Sequence, residues 1–121
     1  MRAIALACLA VALACPARAD TYPVAGRFAV GGWTEAGRID CTGLRVMTFG
    51  GRWRRDTGGG VSTFVNRSVA RIDEHSFAVV DEFTTGQVYY ANAMYDLYIV
   101  DADRLLLHLQ PGGVLKLQRC R

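Results

Sequence analysis

The side chains best suited to molecular recognition lie between two glycine-rich turns. They are Arg52, Trp53, Arg54 and Arg55, with Gly50-Gly51 before them and Gly58-Gly59-Gly60 after them. Arginine and tryptophan dominate the energetic centres of protein interfaces, and a guanidinium pairs well with carboxylates and phosphates. The flanking glycines allow the tip to adapt its backbone. The pattern predicts a hairpin that contacts an anion, a glycan or an acidic protein surface. The alternative is a solvated hairpin with Trp53 packed inward.

A cluster of tyrosines provides a second candidate site. Its members are Tyr89, Tyr90, Tyr95 and Tyr98. If all four lie on strands, Tyr90 and Tyr98 share one face, because side chains alternate along a strand. Tyrosines at the mouth of a barrel would line an apolar pocket and supply hydroxyl groups. We therefore predict Tyr90 and Tyr98 as ligand-binding residues, with core filling as the alternative role.

The sequence offers little for catalysis, and we predict a protein that is not an enzyme. The chain has two histidines, His75 and His108, and no Gly-x-Ser-x-Gly motif. The rival hypothesis is a hydrolase that uses His108 with Asp81 or Asp96. Two isolated histidines fall short of a zinc site, and no acidic segment has the ligands of a calcium loop. We therefore predict no metal and no cofactor.

The start of the chain has the pattern of a bacterial signal peptide. A positive Met1-Arg2 precedes an apolar run over residues 3–14, and Ala17-Arg18-Ala19 has small residues where signal peptidase reads. We predict a signal peptide over residues 1–19 and one periplasmic or extracellular domain over residues 20–121. The alternative is lipoprotein processing at Cys15. No later segment approaches transmembrane length, so no membrane span is predicted after cleavage.

Export changes both the charge and the cysteine count. Removing Arg2 and Arg18 leaves 12 basic against 11 acidic side chains, a balance that argues against nucleic acid as a partner. The mature chain keeps Cys41 and Cys120, in a compartment where they can oxidise. We predict a disulfide between them, with two free thiols as the alternative.

The mature chain reads as a series of strands joined by turns. Alternation is clearest in the last hairpin, where Leu105, Leu107 and Leu109 share a face before the turn at Pro111-Gly112-Gly113. Similar patterns predict about eight strands, with turn signals at intervals typical of an antiparallel barrel or sandwich. The predicted segments include residues 28–33, 45–49, 52–56, 77–83, 95–99, 105–110 and 115–118. A short helix is an option over residues 60–67 or 91–94.

The cysteines favour a closed barrel over a sandwich. A bridge between Cys41 and Cys120 ties the start of the sheet to its end, as a closed meander requires. We therefore predict a single all-β domain, a small antiparallel up-and-down barrel of about eight strands with one disulfide.

Two segments at the ends of the first predicted strand have a glycine two residues before an aromatic ring: Val24-Ala25-Gly26-Arg27-Phe28 and Gly31-Gly32-Trp33. The resemblance is to the Gly-x-Trp motif that opens the calycin superfamily, which includes lipocalins, avidins and small bacterial inhibitors of metalloproteases. It implies an up-and-down barrel and a C-terminal arginine over the motif's aromatic ring, a role for Arg119 or Arg121.

These observations favour an exported binding module with a protein partner, as an accessory subunit of a periplasmic or membrane complex or as an inhibitor. A barrel of this size is mostly filled by its own side chains. The candidate contact residues are Arg52, Trp53, Arg54, Arg55, Tyr90 and Tyr98. The alternative is a lipocalin-type carrier of a small apolar ligand.

Overall fold

The computed structural model describes residues 21–121, which form a closed barrel of eight antiparallel strands. The strands are β1 (Gly26–Val30), β2 (Val46–Gly50), β3 (Trp53–Asp56), β4 (Thr63–Arg71), β5 (Ser76–Phe83), β6 (Ala91–Ile99), β7 (Arg104–Leu109) and β8 (Val114–Arg119). Each strand pairs with the next along the chain, and β1 pairs with β8 to close the sheet. Within residues 21–121, no helix is long and apolar enough to cross a membrane.

The up-and-down order places the connections alternately at the two ends of the barrel. One end, called the mouth, carries the loops over residues 31–45, 57–62, 84–90 and 110–113. The opposite end carries the short turns and the N-terminal segment, whose Tyr22 amide donates to the Gly51 carbonyl at 2.9 Å. This arrangement decides which loops border the interior at each end.

Alternation along each strand separates a filled interior from an outer wall. The core consists mainly of aliphatic and aromatic side chains from all strands but β3 and β4, including Phe28, Met47, Phe49, Phe77, Val79, Leu97, Leu105, Leu107 and Leu117. All nine are at most 8% exposed, and the rings of Phe28 and Phe49 meet edge to face at 6.1 Å. Arg119 reaches back from β8, so that its guanidinium carbon lies 4.5 Å from the centre of the Phe28 ring.

The disulfide lies on the outside of the barrel. Cys41 and Cys120 are bonded across a sequence separation of 79, and they pack with the outward-facing Ala29 and Val46. The loop over residues 31–45 therefore runs back across β8. The indole of Trp33 donates to the carbonyls of Leu105 and Leu117 at 3.2 and 3.1 Å.

Gln118 anchors the same loop from the outer face of β8. Its Oε1 accepts from the Thr34 amide at 3.0 Å, and its Nε2 donates to the Gly37 carbonyl. Gln118 is fully buried although it points away from the core. The loop over residues 31–45, called the covering loop, thus lies over one outer strip of the barrel. The disulfide and the Gln118 side chain both fix its position.

The predicted all-β barrel and the Cys41–Cys120 disulfide are confirmed. The first strand begins and ends earlier than residues 28–33, because the chain leaves the sheet at Gly31 to begin the covering loop. The optional helices over residues 60–67 and 91–94 are absent, since β4 and β6 occupy most of these segments. The predicted signal peptide and Cys15 lie outside the described residues.

Candidate functional site

A buried carboxylate lies inside the barrel and is surrounded by hydrogen-bond donors. Asp81 on β5 is 0% exposed. One oxygen accepts from the Tyr22 hydroxyl at 2.8 Å and from Asn66 Nδ2 at 3.1 Å. The other accepts from Arg54 Nε at 2.8 Å and from the Tyr95 hydroxyl at 2.9 Å. We call these five residues the interior network, which unites the N-terminal segment with β3, β4, β5 and β6.

Aromatic rings hold the Arg54 guanidinium in place. Its central carbon lies 3.8 Å from the centre of the Phe64 ring and 5.0 Å from that of Tyr95. Its Nη1 also contacts the sulfur of Met47 at 3.6 Å. Burial of a cation is costly unless it is paired, and here both the Asp81 carboxylate and the aromatic faces compensate the cost. The network therefore places a buried, paired charge next to the mouth.

Both tyrosines of the network resist ionisation. Burial raises the pKa of Tyr22, and the adjacent Asp81 charge raises it further. Burial also raises the pKa of Tyr95 well above its ordinary value. A phenolate at either position would face the Asp81 carboxylate in a dry environment.

We expect the barrel to lose stability in alkaline solution for this reason. The folded state favours the protonated phenols, so their contribution is fully present below about pH 10, the ordinary tyrosine pKa. It declines as the pH rises above that value, because the unfolded chain releases protons that the folded chain retains. Urea unfolding followed across this range should show the decline. Tyr95→Phe should weaken the dependence, whereas Tyr98→Phe, on the outer wall, should leave it unchanged. Equal slopes in the two variants would contradict the assignment.

A cavity of about 200 Å³ opens at the mouth. Most of its wall is apolar, from Met47, Phe64, Ala93, Met94, Leu107, Leu109 and Leu115, whereas Arg54 and Tyr95 join it to the interior network. Arg45 and Asp56 also line it, joined by bonds of 2.9 and 2.7 Å. Burial opposes ionisation of Asp56, but the hydrogen bonds from Arg45 and from the Gly58 amide outweigh it and lower the pKa of Asp56. The cavity is thus apolar with a charged but neutralised rim.

The loop over residues 84–90, called the mouth loop, presents exposed side chains at the same end of the barrel as this cavity. Tyr89 is 70% exposed, Tyr90 is 74% exposed and Val88 is 45% exposed. Tyr90 has φ = 55°, a left-handed conformation that a bulky side chain rarely adopts. Its amide donates to the Thr84 hydroxyl at 3.2 Å. Backbone strain of this kind persists only where the surrounding structure enforces it, and it concentrates at functional sites.

The predicted arginine hairpin is divided between the two sides of the sheet. Arg54 points inward and is 4% exposed, so it does not share a contact surface with its neighbours. Trp53 and Arg55 point outward, and the Arg55 guanidinium carbon lies 4.5 Å from the centre of the indole. Arg52 lies in the exposed turn between β2 and β3. Strand alternation explains the division, because residues 53–56 form β3 and their side chains take opposite sides in turn.

The structure also separates the two predicted ligand-binding tyrosines. Tyr90 precedes β6 in the mouth loop, whereas Tyr98 lies near the other end of β6 on the outer wall, with its ring 5.0 Å from His108. The tyrosine that lines the cavity is Tyr95. The parity argument that joined Tyr90 to Tyr98 fails because the strand begins at Ala91.

His108 lies on the outer wall, away from one of its two suggested carboxylates. Asp81 is inside the barrel, on the other side of the sheet. Asp96 is the cross-strand partner of His108, and both side chains point outward. The hydrolase hypothesis therefore concerns His108 and Asp96, on an exposed part of the sheet. Within residues 21–121, no cluster of three or more potential metal ligands occurs.

Comparison of this chain with protein-family models, with curated proteins and with solved structures finds no match.

Proposed function

We propose that this protein is an exported, non-enzymatic binding module that holds a protein partner at its mouth loop. The single observation that supports the proposal most is the exposure of Tyr89 and Tyr90, at 70% and 74%, at the same end of the barrel as the cavity. Tyrosine supplies a large contact area at low entropic cost and is enriched where proteins bind one another. Met94 and Val114, 48% and 54% exposed on β6 and β8, extend the apolar surface at this end of the barrel.

The size of the cavity favours a protein partner over a small-molecule cargo. Ligand pockets usually enclose about 300–1,000 Å³, whereas the mouth cavity has about 200 Å³. The interior network and the aliphatic core fill the space below it. A cavity of this size suits one side chain of a partner whose surface rests on the mouth loop. An accessory subunit and an inhibitor both fit this description.

A carrier of a small apolar ligand is the second candidate. The apolar wall of the mouth cavity, formed by residues such as Phe64, Leu107 and Leu115, is the observation in its favour. A ligand of this kind would lie against Arg54 and Tyr95 of the interior network.

We also propose that the protein is exported to the periplasm or the cell exterior and that it is related to the calycin superfamily. The disulfide suits an oxidising compartment such as the periplasm, which agrees with the predicted signal peptide. The position of Arg119 over Phe28 supports the resemblance to calycins, because Phe28 stands where their motif has tryptophan.

Tyr90→Gly is expected to raise stability and weaken partner binding at the same time. Glycine adopts φ = 55° without strain, so the free energy of unfolding should rise by about 1 kcal/mol. Loss of the exposed ring should weaken binding roughly tenfold or more. The partner is first identified by native mass spectrometry of the protein purified from its own host. Affinity and urea unfolding are then measured for each variant.

Ile72→Ser serves as the control, because Ile72 is 53% exposed in the turn between β4 and β5 at the opposite end. It should leave the affinity unchanged. A co-purifying protein at fixed stoichiometry, released by Tyr90→Gly and retained by Ile72→Ser, supports the proposal. An isolated monomer that carries a small additional mass would contradict it and favour the carrier.

A further inference from the structure

The outer wall over the first four strands carries a row of arginine and threonine side chains. Arg27 on β1 is the register partner of Thr48 on β2, Thr48 is the partner of Arg55 on β3, and Arg55 is the partner of Thr63 on β4. The next row holds Trp53 and Val65, also register partners and 36% and 42% exposed. We call these six residues the arginine wall: Arg27, Thr48, Trp53, Arg55, Thr63 and Val65.

The two arginines of this wall differ from most of the other arginines within residues 21–121. A carboxylate lies within 4.0 Å of each of these: Arg38, Arg45, Arg54, Arg67, Arg104 and Arg119. In the same part of the chain, no carboxylate lies within that distance of Arg27 or Arg55, and both residues are exposed. The two guanidiniums are therefore available to carboxylates of another molecule.

Two side chains of the wall are held in position before any partner binds. Arg55 stacks on the Trp53 indole at 4.5 Å, which limits its conformations before any partner arrives. The indole in turn lies so close to Gly50 that a Cβ at that position would come within 2.3 Å of it. Arg27 and Arg55 are two strands apart, about 10 Å, so two carboxylates can bind at once.

We propose that the arginine wall binds an acidic segment of a protein, so that the partner proposed for the mouth loop carries carboxylates toward β1–β4. This inference rests on the proposed function and names the chemistry of the partner. Arginine pairs with carboxylates through two parallel hydrogen bonds, and Trp53 and Val65 provide the adjacent apolar contact. Thr48 offers a hydroxyl group between the two charges, and Thr63 offers one on the other side of Arg55.

The wall has two arginines, and this small number of positive charges favours an acidic protein over nucleic acid or an anionic membrane. Nucleic-acid affinity depends on many simultaneous phosphate contacts, and anionic membranes attract clusters of about four to eight basic side chains. Two guanidiniums beside an indole and a valine match a mixed polar and apolar protein surface better. Binding to either of the other classes is an outcome that the experiment can detect.

The test uses a synthetic peptide of repeating Glu-Leu pairs, titrated into the isotopically labelled protein at low ionic strength. NMR signals should shift at the six wall residues, including the Nε–H signals of Arg27 and Arg55. The double variant Arg27→Gln/Arg55→Gln should bind roughly tenfold more weakly. The matched Gln-Leu peptide should not bind.

Arg38→Gln is the control, because Arg38 is an exposed arginine with a side chain 62% accessible in the covering loop. Arg38→Gln removes one charge, as do the single variants Arg27→Gln and Arg55→Gln. A substantially smaller loss of peptide affinity in Arg38→Gln than in either of these separates the wall from net charge. Equal losses, shifts spread over the surface, or no binding by the Glu-Leu peptide would each overturn the proposal. So would wall shifts produced only by phosphatidylglycerol vesicles or by a single-stranded oligonucleotide. The Glu-Leu peptide reports on the wall, whereas Tyr90→Gly is assayed with the co-purified partner, so failure of the mouth loop as a partner site and failure of the wall give different results.

Discussion

Asp81→Ala is expected to lower the free energy of unfolding by about 3–5 kcal/mol, because it leaves the Arg54 charge buried without its partner. Arg54 is 4% exposed and ion-pairs with Asp81 at 2.8 Å. The hydroxyls of Tyr22 and Tyr95 also lose the oxygens to which they donate. Domains of this size have about 5–15 kcal/mol in total, so the variant should be close to the limit of folding.

The measurement is urea unfolding of the purified protein, with Asp96→Ala as the matched control. Asp96 is also a strand aspartate, but it points outward from the neighbouring β6 and is partly exposed. Its replacement should cost no more than about 0.5 kcal/mol. Similar losses in the two variants would show that the interior network contributes no special stability.

A second substitution separates the buried charge from the lost hydrogen bonds. Arg54→Met in the Asp81→Ala background should recover part of the lost stability, since it removes the unpaired cation and keeps an apolar side chain against Phe64. A double variant no more stable than Asp81→Ala would show that the tyrosine and asparagine contacts, rather than the charge, determine the cost.

The barrel was predictable because its signals are local. The alternation of Leu105, Leu107 and Leu109 with His108 reports which face of one strand is buried, and the Pro111-Gly112-Gly113 turn reports where it ends. Closure is a long-range property. It was predictable here because Cys41 and Cys120 flank nearly the whole sheet in sequence.

The interior network could not be predicted in full, although one signal was visible. Asp81 shares its face with Phe77 and Val79, so the alternation that predicts the strand also places a carboxylate in the core. The same alternation places Arg54 on the inner face of the sheet and Trp53 on the outer face. The sequence does not show that Asp81 and Arg54 pair. They are 27 residues apart and meet only because of the order of the strands in the sheet.

The position of the mouth loop could not be predicted from the sequence for a different reason. Thr85-Gly86 correctly predicts the end of a strand, but the length of the loop that follows depends on where pairing resumes. Alternation holds only within a strand, so it does not place a residue that precedes the true start of the strand. Tyr90 was therefore placed on the wrong element, whereas residues deeper in the strand, such as Leu97, were placed correctly.

Cys41→Ser/Cys120→Ser is expected to lower the free energy of unfolding by about 4.5 kcal/mol in the chain-entropy description of a cross-link that closes a loop of about 80 residues. The bond joins the covering loop to the end of β8. In the unfolded chain it therefore restricts the conformations of nearly all the residues that form the barrel. Without it, the loop retains the hydrogen bonds that Trp33 and Thr34 donate to Leu117 and Gln118 of β8. The barrel itself should remain folded, since β1 still pairs with β8.

Urea unfolding of three samples tests this expectation: the oxidised protein, the same protein under a reductant, and the double serine variant. Reduction and substitution should agree within about 1 kcal/mol, because both remove the cross-link while the packing beside Ala29 and Val46 changes little. A loss in the serine variant alone would assign the effect to that packing instead. Asp81 lies inside the barrel and the disulfide outside it, so the two losses should add. Together they approach the whole stability of a domain this size, and Asp81→Ala should therefore prevent folding when the disulfide is absent.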